Sequence, residues 1–131
     1  MGRTEQELID AATGVRERAY APFSGFKVGA AVETESGVVV GCNVESASYG
    51  LTMCAERAAI FAAVAQGMQR ISRVAVVADS EKLTAPCGAC RQVIWEFGGD
   101  IPVILSNLEG MTETVRMSEL LPRAFDAEYL K

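Results

Sequence analysis

The sequence predicts an α/β fold whose last two strands form an antiparallel hairpin. From residue 54 onward, apolar strand-like runs alternate with helix-forming stretches, an order typical of α/β proteins. The run Val74–Ala78 is apolar without alternation, as expected for a strand that is covered on both faces. Only a short segment separates the strand expected at Val103–Leu105 from the next one, at 114–117, whereas a parallel crossover needs roughly a dozen residues or more.

A helix and a hairpin are expected before residue 54. Thr4, with Glu7 three residues later, is a capping-box signal, and apolar residues recur behind it at helical spacing. This pattern predicts a first helix from Glu5 to Ala19. Two valine-rich runs on either side of Glu35-Ser36-Gly37 predict a β-hairpin. Residues 43–52 are polar and are expected to form a loop.

Two further helices are expected, and each begins at a cysteine. Residues 54–66 are mostly good helix formers or small apolar residues, and Gly67 is suited to end that helix. The second of these helices is predicted to run from Cys87 to Gly98-Gly99, with a strand after it. The closing hairpin is expected to turn at Glu109-Gly110.

Composition favours one small enzyme domain without a nucleic-acid or membrane partner. The chain has 131 residues, half of them hydrophobic, so residues 1–131 are interpreted as a single domain. The net charge is −5 and the basic residues are scattered, which leaves no basic stripe for phosphates. No apolar run is long enough to cross a bilayer, and no signal segment is evident. A cytoplasmic location is expected, where the four cysteines serve better as metal ligands than as disulfides.

The most informative pattern is Cys54-Ala55-Glu56 followed by Pro86-Cys87-Gly88-Ala89-Cys90, in a chain without histidine. Zinc deaminases carry His or Cys, one residue, Glu, and then Pro-Cys-x-x-Cys, and this chain matches with Cys in the first slot. Helix positions three apart differ by about 60° in direction, so Cys87 and Cys90 can face one metal while Cys54 supplies a third sulfur. Three thiolates leave one zinc position open, and Glu56 lies where a catalytic site needs a proton carrier.

A zinc ion held by three thiolates has a net charge of −1, so nearby positive groups are expected. Both cysteine-bearing helix starts offer backbone N–H groups and the positive end of a helix dipole, which favour thiolates. Arg57, next to Glu56, is the nearest cation in the sequence. It is expected to compensate this charge by donating to a thiolate, most simply that of Cys87.

Several segments together resemble the homotetrameric cytidine deaminases: Cys54-Ala55-Glu56-Arg57, Pro86-Cys87-Gly88-Ala89-Cys90-Arg91-Gln92, Gly41-Cys42-Asn43-Val44-Glu45, Tyr20–Ala30 and Leu120–Phe125. The resemblance covers almost the whole chain. It implies a three-layer α/β/α fold around a five-stranded mixed sheet, one catalytic zinc per subunit and a homotetramer. It also implies hydrolysis of cytidine or deoxycytidine to the uridine form and ammonia, in pyrimidine salvage.

The resemblance further implies roles for individual residues. Cys54, Cys87 and Cys90 would hold the zinc, with water as the fourth ligand. Glu56 would pass a proton from that water to the pyrimidine and then to the departing amine. The substrate-binding residues would be Phe26 on the base, Asn43 and Glu45 on the ribose hydroxyls, Ala55 within the zinc motif, and Phe125 from a neighbouring subunit. Tyr49 is a further candidate for contact across that interface.

Other interpretations stay open at this point. Four cysteines, with Cys42 included, could form a closed structural zinc site, although Glu56 would then be unexplained. Cys42 is interpreted instead as a small buried residue, Asn43 also fits a turn, and Arg91 is interpreted as an ordinary helix residue.

Two other kinds of deaminase would share the zinc motif. One acts on nucleic-acid bases, and it is disfavoured by the acidic balance and by the short last connection, which leaves no room for the helix of that branch. The other acts on a modified or antibiotic nucleoside such as blasticidin S. The segment Asn43-Val44-Glu45 and Phe125 favour an ordinary nucleoside over that substrate. Cytidine and deoxycytidine both stay as candidate substrates.

Overall fold

A computed structural model describes residues 3–130, which fold around one five-stranded sheet. Its helices are α1 (Glu5–Arg16), α2 (Ala55–Ala65), α3 (Gly88–Gly98) and α4 (Met117–Leu120). Its strands are β1 (Val28–Thr34), β2 (Gly37–Cys42), β3 (Ile71–Ala78), β4 (Pro102–Ser106) and β5 (Thr112–Arg116). Short 3₁₀ turns occupy Tyr49–Leu51 and Ala127–Leu130.

The sheet is mixed, with the strand order β2-β1-β3-β4-β5. Strands β3 and β4 pair in parallel through the crossover helix α3, and every other neighbouring pair is antiparallel. The expected final hairpin is confirmed. Its turn is closed by Asn107 Oδ1, which accepts from the backbone N–H groups of Glu109 at 2.9 Å and Met111 at 3.0 Å. Gly110 has φ +88°, a conformation that glycine adopts without steric cost.

Helices cover both faces of the sheet, which confirms the three-layer arrangement. Residues that alternate along the strands point to opposite sides, because successive side chains of a strand face opposite ways. On one side Ala31, Ala75, Val77 and Ile104 pack with the buried face of α1. On the other side α2 and α3 pack against a second set of strand residues: Ala30, Val32, Val74, Val76, Val103 and Leu105.

Helix α1 begins as expected and ends earlier than expected. Thr4 Oγ1 accepts from the backbone N–H of Glu7 at 3.1 Å, which completes the capping box. The helix ends at Arg16, so the expectation that it reaches Ala19 was wrong. The physical reason lies in Tyr20, whose N–H donates to Asn43 O at 3.0 Å and whose carbonyl accepts from Glu45 N at 2.8 Å. These bonds hold Tyr20 against the segment after β2, so the chain leaves the helical conformation before it reaches this residue.

Helix α2 lies unusually close to strand β2, because Gly41 has no side chain. A Cβ atom at Gly41 would lie 2.4 Å from Ala59 N and 2.7 Å from Ala55 O, both in the α2 backbone. The glycine therefore sets the height of α2 above the sheet. Among residues 3–130, none of the helices is long and apolar enough to span a bilayer.

Candidate active site

Three cysteine sulfurs meet where two helices begin. Cys54 is the N-cap residue of α2 and Cys87 is the N-cap residue of α3, while Cys90 lies in the first turn of α3. Neither N-cap side chain makes a capping hydrogen bond to the backbone of its own helix. The sulfurs therefore stay available to a shared ligand, and backbone N–H groups at both helix starts favour negative charge there.

The spacing of the sulfurs fits a zinc ion. The three Sγ atoms all lie within 4.8 Å of one another, and those of Cys54 and Cys87 are 3.7 Å apart. Zn–S bonds of about 2.3 Å in a tetrahedral site place the sulfurs roughly 3.8 Å apart. The cluster contains Cys54, Cys87 and Cys90 and does not include Cys42. Within the described residues a closed site with four sulfur ligands is therefore excluded, and one zinc position stays open.

The charges of the sulfurs also fit a cation. Hydrogen bonding from Cys90, followed by that from Arg57 and Cys87, lowers the pKa of Cys54 to about 5. The same bond to Cys54, together with burial, raises the pKa of Cys90 far above its usual range. Adjacent thiolates repel one another, so their joint ionisation needs a positive ion between them. The residues present suit zinc, which takes deprotonated cysteine ligands.

Glu56 is buried beside the sulfurs. Its side chain is 5% exposed and lines a cavity of about 180 Å³, with Phe26, Asn43, Cys54 and Ala55 among the other walls. Burial and, to a smaller extent, the negative charge of Cys54 raise the pKa of Glu56 to about 7. A carboxyl group held near neutrality in a small cavity can both accept and donate a proton.

Arg57 contacts Cys54, so the expectation that it would bond to Cys87 was wrong. Arg57 Nη2 donates to Cys54 Sγ at 3.5 Å. The two residues lie three apart across the start of α2, where side chains meet on one helix face. The nearby sulfurs in turn raise the pKa of Arg57, with the Cys54 bond as the main cause. The guanidinium therefore balances thiolate charge, although through a different sulfur.

Asn43 supports the wall of the cavity that carries Phe26. Asn43 Oδ1 accepts from Val28 N at 2.9 Å, and its Nδ2 donates to Phe26 O at 2.8 Å. Both bonds go to the backbone that leads into β1. The ring of Phe26 is 41% exposed and faces the cavity, whereas Ala55 is fully buried in the opposite wall.

Glu45 holds the loop before Phe26. Its Oε1 accepts from Phe23 N at 2.9 Å and from Ser24 N at 3.2 Å, and its Oε2 accepts from the Ser24 hydroxyl. These bonds lower the pKa of Glu45, with the Ser24 hydroxyl as the main cause. Glu45 lines a second cavity, of about 210 Å³, that shares Thr52 with the one beside Glu56.

Neither Phe125 nor Tyr49 lines the cavity beside Glu56 in its own chain, whereas Tyr49 does line the second cavity, together with Glu45. Phe125 is 55% exposed and stacks on Tyr129, with ring centroids 5.1 Å apart. Tyr49 is 78% exposed and makes an edge contact with Phe23 at 6.3 Å. The structure therefore places both rings on the surface of the subunit.

Sequence reasoning missed other residues at the site. Met53 and Thr84 line the cavity, and the Thr84 hydroxyl bonds to that of Ser80 at 2.9 Å. Arg91, interpreted from the sequence as an ordinary helix residue, donates from Nε to Pro86 O at 2.7 Å. The positions of Arg91 and Thr84 next to the Pro86–Cys90 motif were the only signal available.

Comparisons with known proteins agree with this site. Residues 3–105 match the family model described as "Cytidine and deoxycytidylate deaminase zinc-binding region". The chain is 49% identical over 127 residues to a cytidine deaminase of Sporosarcina psychrophila, covering 95% of this chain and 93% of that protein. It is 50% identical over 125 residues to one of Halalkalibacterium halodurans, covering 94% and 95%.

Solved structures show the same fold. A cytidine deaminase from Burkholderia pseudomallei superposes with a TM-score of 0.90 at 50% identity, covering 94% of this chain and all of that one. One from Mycobacterium tuberculosis superposes with a TM-score of 0.80 at 40% identity, covering 94% and 98%. With three zinc-spaced cysteines, a buried glutamate beside them and this similarity along nearly its whole length, the chain belongs to the cytidine deaminase family.

Proposed function

We propose that this protein hydrolyses cytidine and deoxycytidine to uridine and deoxyuridine with release of ammonia. The observation that carries the proposal is the buried Glu56, which lines a small cavity beside three zinc-spaced sulfurs. A structural zinc site has no use for such a carboxyl group. The cavity of about 180 Å³ is smaller than the roughly 300 Å³ at which sites for drug-sized ligands begin, which suits a single pyrimidine ring.

Each wall of the cavity has a task in this reaction. Cys54, Cys87 and Cys90 would hold a zinc ion, which would supply an acidified water as the nucleophile. Glu56 would take one proton of that water and deliver it to N3 of the ring as the oxygen bonds to C4. It would then take the second proton, from the new C4 hydroxyl, and give it to the amine as the C4–N bond breaks and ammonia leaves. Phe26 packs on the face of the base.

The sugar would occupy the second cavity, which adjoins the first at Thr52. Glu45 and Ser24 give that cavity polar walls suited to ribose hydroxyls. Asn43 lines the first cavity, and its bond to the backbone carbonyl of Phe26 helps to set the position of Phe26. Asn43 and Glu45 would therefore exchange part of their internal bonding for bonds to the sugar. Ala55, fully buried, leaves room for the base beside Cys54.

We infer that the active unit is a homotetramer whose sites are completed by neighbouring subunits. Phe125 and Tyr49 present large exposed aromatic surfaces, and Phe61 and Val64 of α2 are also more than 40% exposed. Exposed apolar surface of this extent is typical of protein interfaces. Phe125 would enter the site of a neighbour and cover the base there. The chain would act as one catalytic domain, in the cytoplasm, in pyrimidine salvage.

The proposal is tested with purified zinc-loaded protein by following the loss of cytidine absorbance. Deoxycytidine, cytosine, CMP and blasticidin S are assayed beside it. Turnover of cytidine and deoxycytidine is expected, together with one zinc per chain and loss of activity after chelation. Absence of turnover with both nucleosides would refute the proposal, and preference for CMP or blasticidin S would assign the site to another substrate.

A further inference from the structure

Helix α3 holds the C-terminal segment with three side chains. Arg91 Nη1 donates to Leu120 O at 2.9 Å, Gln92 Nε2 to Phe125 O at 2.7 Å, and Trp95 Nε1 to Asp126 Oδ2 at 3.1 Å. Trp95 lies four positions after Arg91 and three after Gln92, so the three donors project from one side of the helix. The acceptors follow the same order along segment 120–126.

The segment has little support of its own. In the part of the chain that the structure describes, no backbone-to-backbone hydrogen bond joins residues 122–125 to the rest. Pro122 has no N–H to donate. Arg123 has φ +56°, a left-handed conformation that costs energy for a residue with a Cβ. Apart from the stacking of the Phe125 ring on Tyr129, the position of the segment at Phe125 therefore depends on the side chains of α3.

Arg91 also reaches the metal-binding turn. Its Nε donates to Pro86 O at 2.7 Å, while its Nη1 holds Leu120 O. Pro86 is fully buried and directly precedes Cys87, the N-cap residue of α3. One guanidinium thus spans from the turn that carries a zinc ligand to the start of the C-terminal segment. A guanidinium can bond two acceptors in a fixed geometry, which a lysine ammonium cannot reproduce.

We propose that Arg91, Gln92 and Trp95 are positioning residues that hold Phe125 in register with the zinc-binding turn, ready to enter the neighbouring subunit's site. This proposal rests on the proposed function, in which Phe125 covers the substrate of a neighbour. The three residues touch neither the substrate nor the metal. They act through Phe125, and Arg91 acts through the Cys87 turn as well.

The first test separates binding from chemistry. Gln92→Leu removes the bond to Phe125 O, and Asp126→Ala removes the bond from Trp95 Nε1 together with the one from Glu128 N to Asp126 Oδ1. In each variant the KM for cytidine should rise by about two- to tenfold while kcat changes less than about twofold. Combined with Phe125→Ala, neither change should raise KM further, because the hydrogen bonds from α3 act through the Phe125 ring. Asp126→Asn keeps an acceptor for the indole and should restore the parent KM. Glu96→Gln, on the exposed side of α3, is the matched control.

The second test needs no turnover. Trp95 is the single tryptophan of the chain, so its fluorescence reports directly on the contact between α3 and Asp126. Asp126→Ala and Gln92→Leu should make Trp95 easier to quench with acrylamide, and Asp126→Asn should not. Arg91→Met and Arg91→Lys should both release zinc to a chelator faster than the parent, because neither substitute spans the two carbonyls.

Unchanged KM and unchanged quenching in Gln92→Leu and Asp126→Ala would overturn the proposal. So would a rise in KM that adds in full to that of Phe125→Ala. If the unaltered protein turned over no cytidine, the proposed function would fail instead. In that case the quenching and zinc-release measurements would still decide whether α3 holds the segment.

Discussion

Arg57 Nη2 lies 3.5 Å from Cys54 Sγ, and the two residues are three positions apart at the start of α2. The cation that balances the thiolate charge therefore belongs to the same helix as the thiolate. Arg57 Nε is buried and, among the described residues, has no hydrogen-bond partner. The guanidinium thus contacts the sulfurs through its terminal nitrogens and not through Nε, and its main electrostatic partner is Cys54.

Replacing Arg57 by Ala should lower turnover more than it weakens substrate binding. Without the guanidinium the three thiolates donate more charge to the metal, which becomes a weaker Lewis acid. Steady-state kinetics with zinc content checked in every sample measures the effect. Arg57→Lys keeps the charge and should retain more activity than Arg57→Ala. Unchanged turnover of the alanine variant, with zinc in place, would contradict charge compensation.

Replacing Glu56 by Gln should keep the fold and the zinc while slowing the chemical step by about 10²- to 10⁴-fold. The amide has nearly the same shape, but it can neither take the proton of the nucleophile nor pass it on. Single-turnover kinetics isolates the step, and metal analysis confirms that the site is loaded. Retained activity would rule Glu56 out as the proton carrier.

Replacing Phe125 by Ala should raise the KM for cytidine and leave the zinc content unchanged. The ring is exposed in the isolated subunit, so its loss should change the free energy of unfolding little. The neighbouring site should lose the side chain that covers its substrate. Kinetics is combined with sedimentation to determine the oligomeric state. Leu108→Ala, an exposed apolar residue in the β4–β5 turn, is the control and should behave like the parent. A fully active monomer would contradict completion of the site by a neighbour.

Replacing Gly41 by Ala should destabilise the zinc-loaded protein by about 2–3 kcal/mol, because the new Cβ would collide with the α2 backbone at Ala59 and Ala55. Urea unfolding measures the change, and faster release of zinc is expected because α2 begins next to Cys54. Gly14→Ala is the matched control. Gly14 lies in α1 with no atom within 4 Å of the added Cβ, so that change should stabilise by roughly 0.5–1 kcal/mol.

The Glu33–Arg73 pair should make stability depend on pH in acid. Arg73 Nε and Nη2 each donate to the Glu33 carboxylate at 2.9 Å, and this bonding is the main cause that lowers the pKa of Glu33 to about 2. The folded-state pKa lies below the ordinary value of 4.5. The stabilisation is therefore full above pH 4.5 and declines as the pH falls towards 2.

Glu33→Gln tests this dependence. The variant should be less stable than the parent by about 2–3 kcal/mol at pH 6, and the difference should shrink as the pH falls from 5 to 3. Urea unfolding at each pH measures it. The Arg16–Glu17 pair, in which the Glu17 side chain is 68% exposed, supplies the control, since Glu17→Gln should change stability by less than about 0.5 kcal/mol. A difference that stays constant with pH would contradict the assignment to Glu33.

Local sequence patterns were sufficient to predict much of the fold. The capping box at Thr4 and Glu7, the apolar run of β3 and the short β4–β5 connection each predicted what the structure contains. These features depend on residues close together in the chain. The end of α1 did not follow from such a pattern. It is decided by the bridge between Tyr20 and the segment around Val44, a contact between distant parts of the sequence.

The sequence by itself determined the chemistry: three cysteines at ligand spacing, a glutamate beside the first of them, and no histidine. Only the tertiary structure decided which sulfur accepts a hydrogen bond from Arg57 and which residues line the cavity beside Glu56. It also decided that Arg91 joins the Cys87 turn to the C-terminal segment. The physical reason is that the donor atoms of a motif are a local property of the chain. Which donor reaches which acceptor depends on how α2, α3 and β2 pack, and Gly41 sets the approach of α2 to β2 through contacts with Ala55 and Ala59, which are distant in sequence.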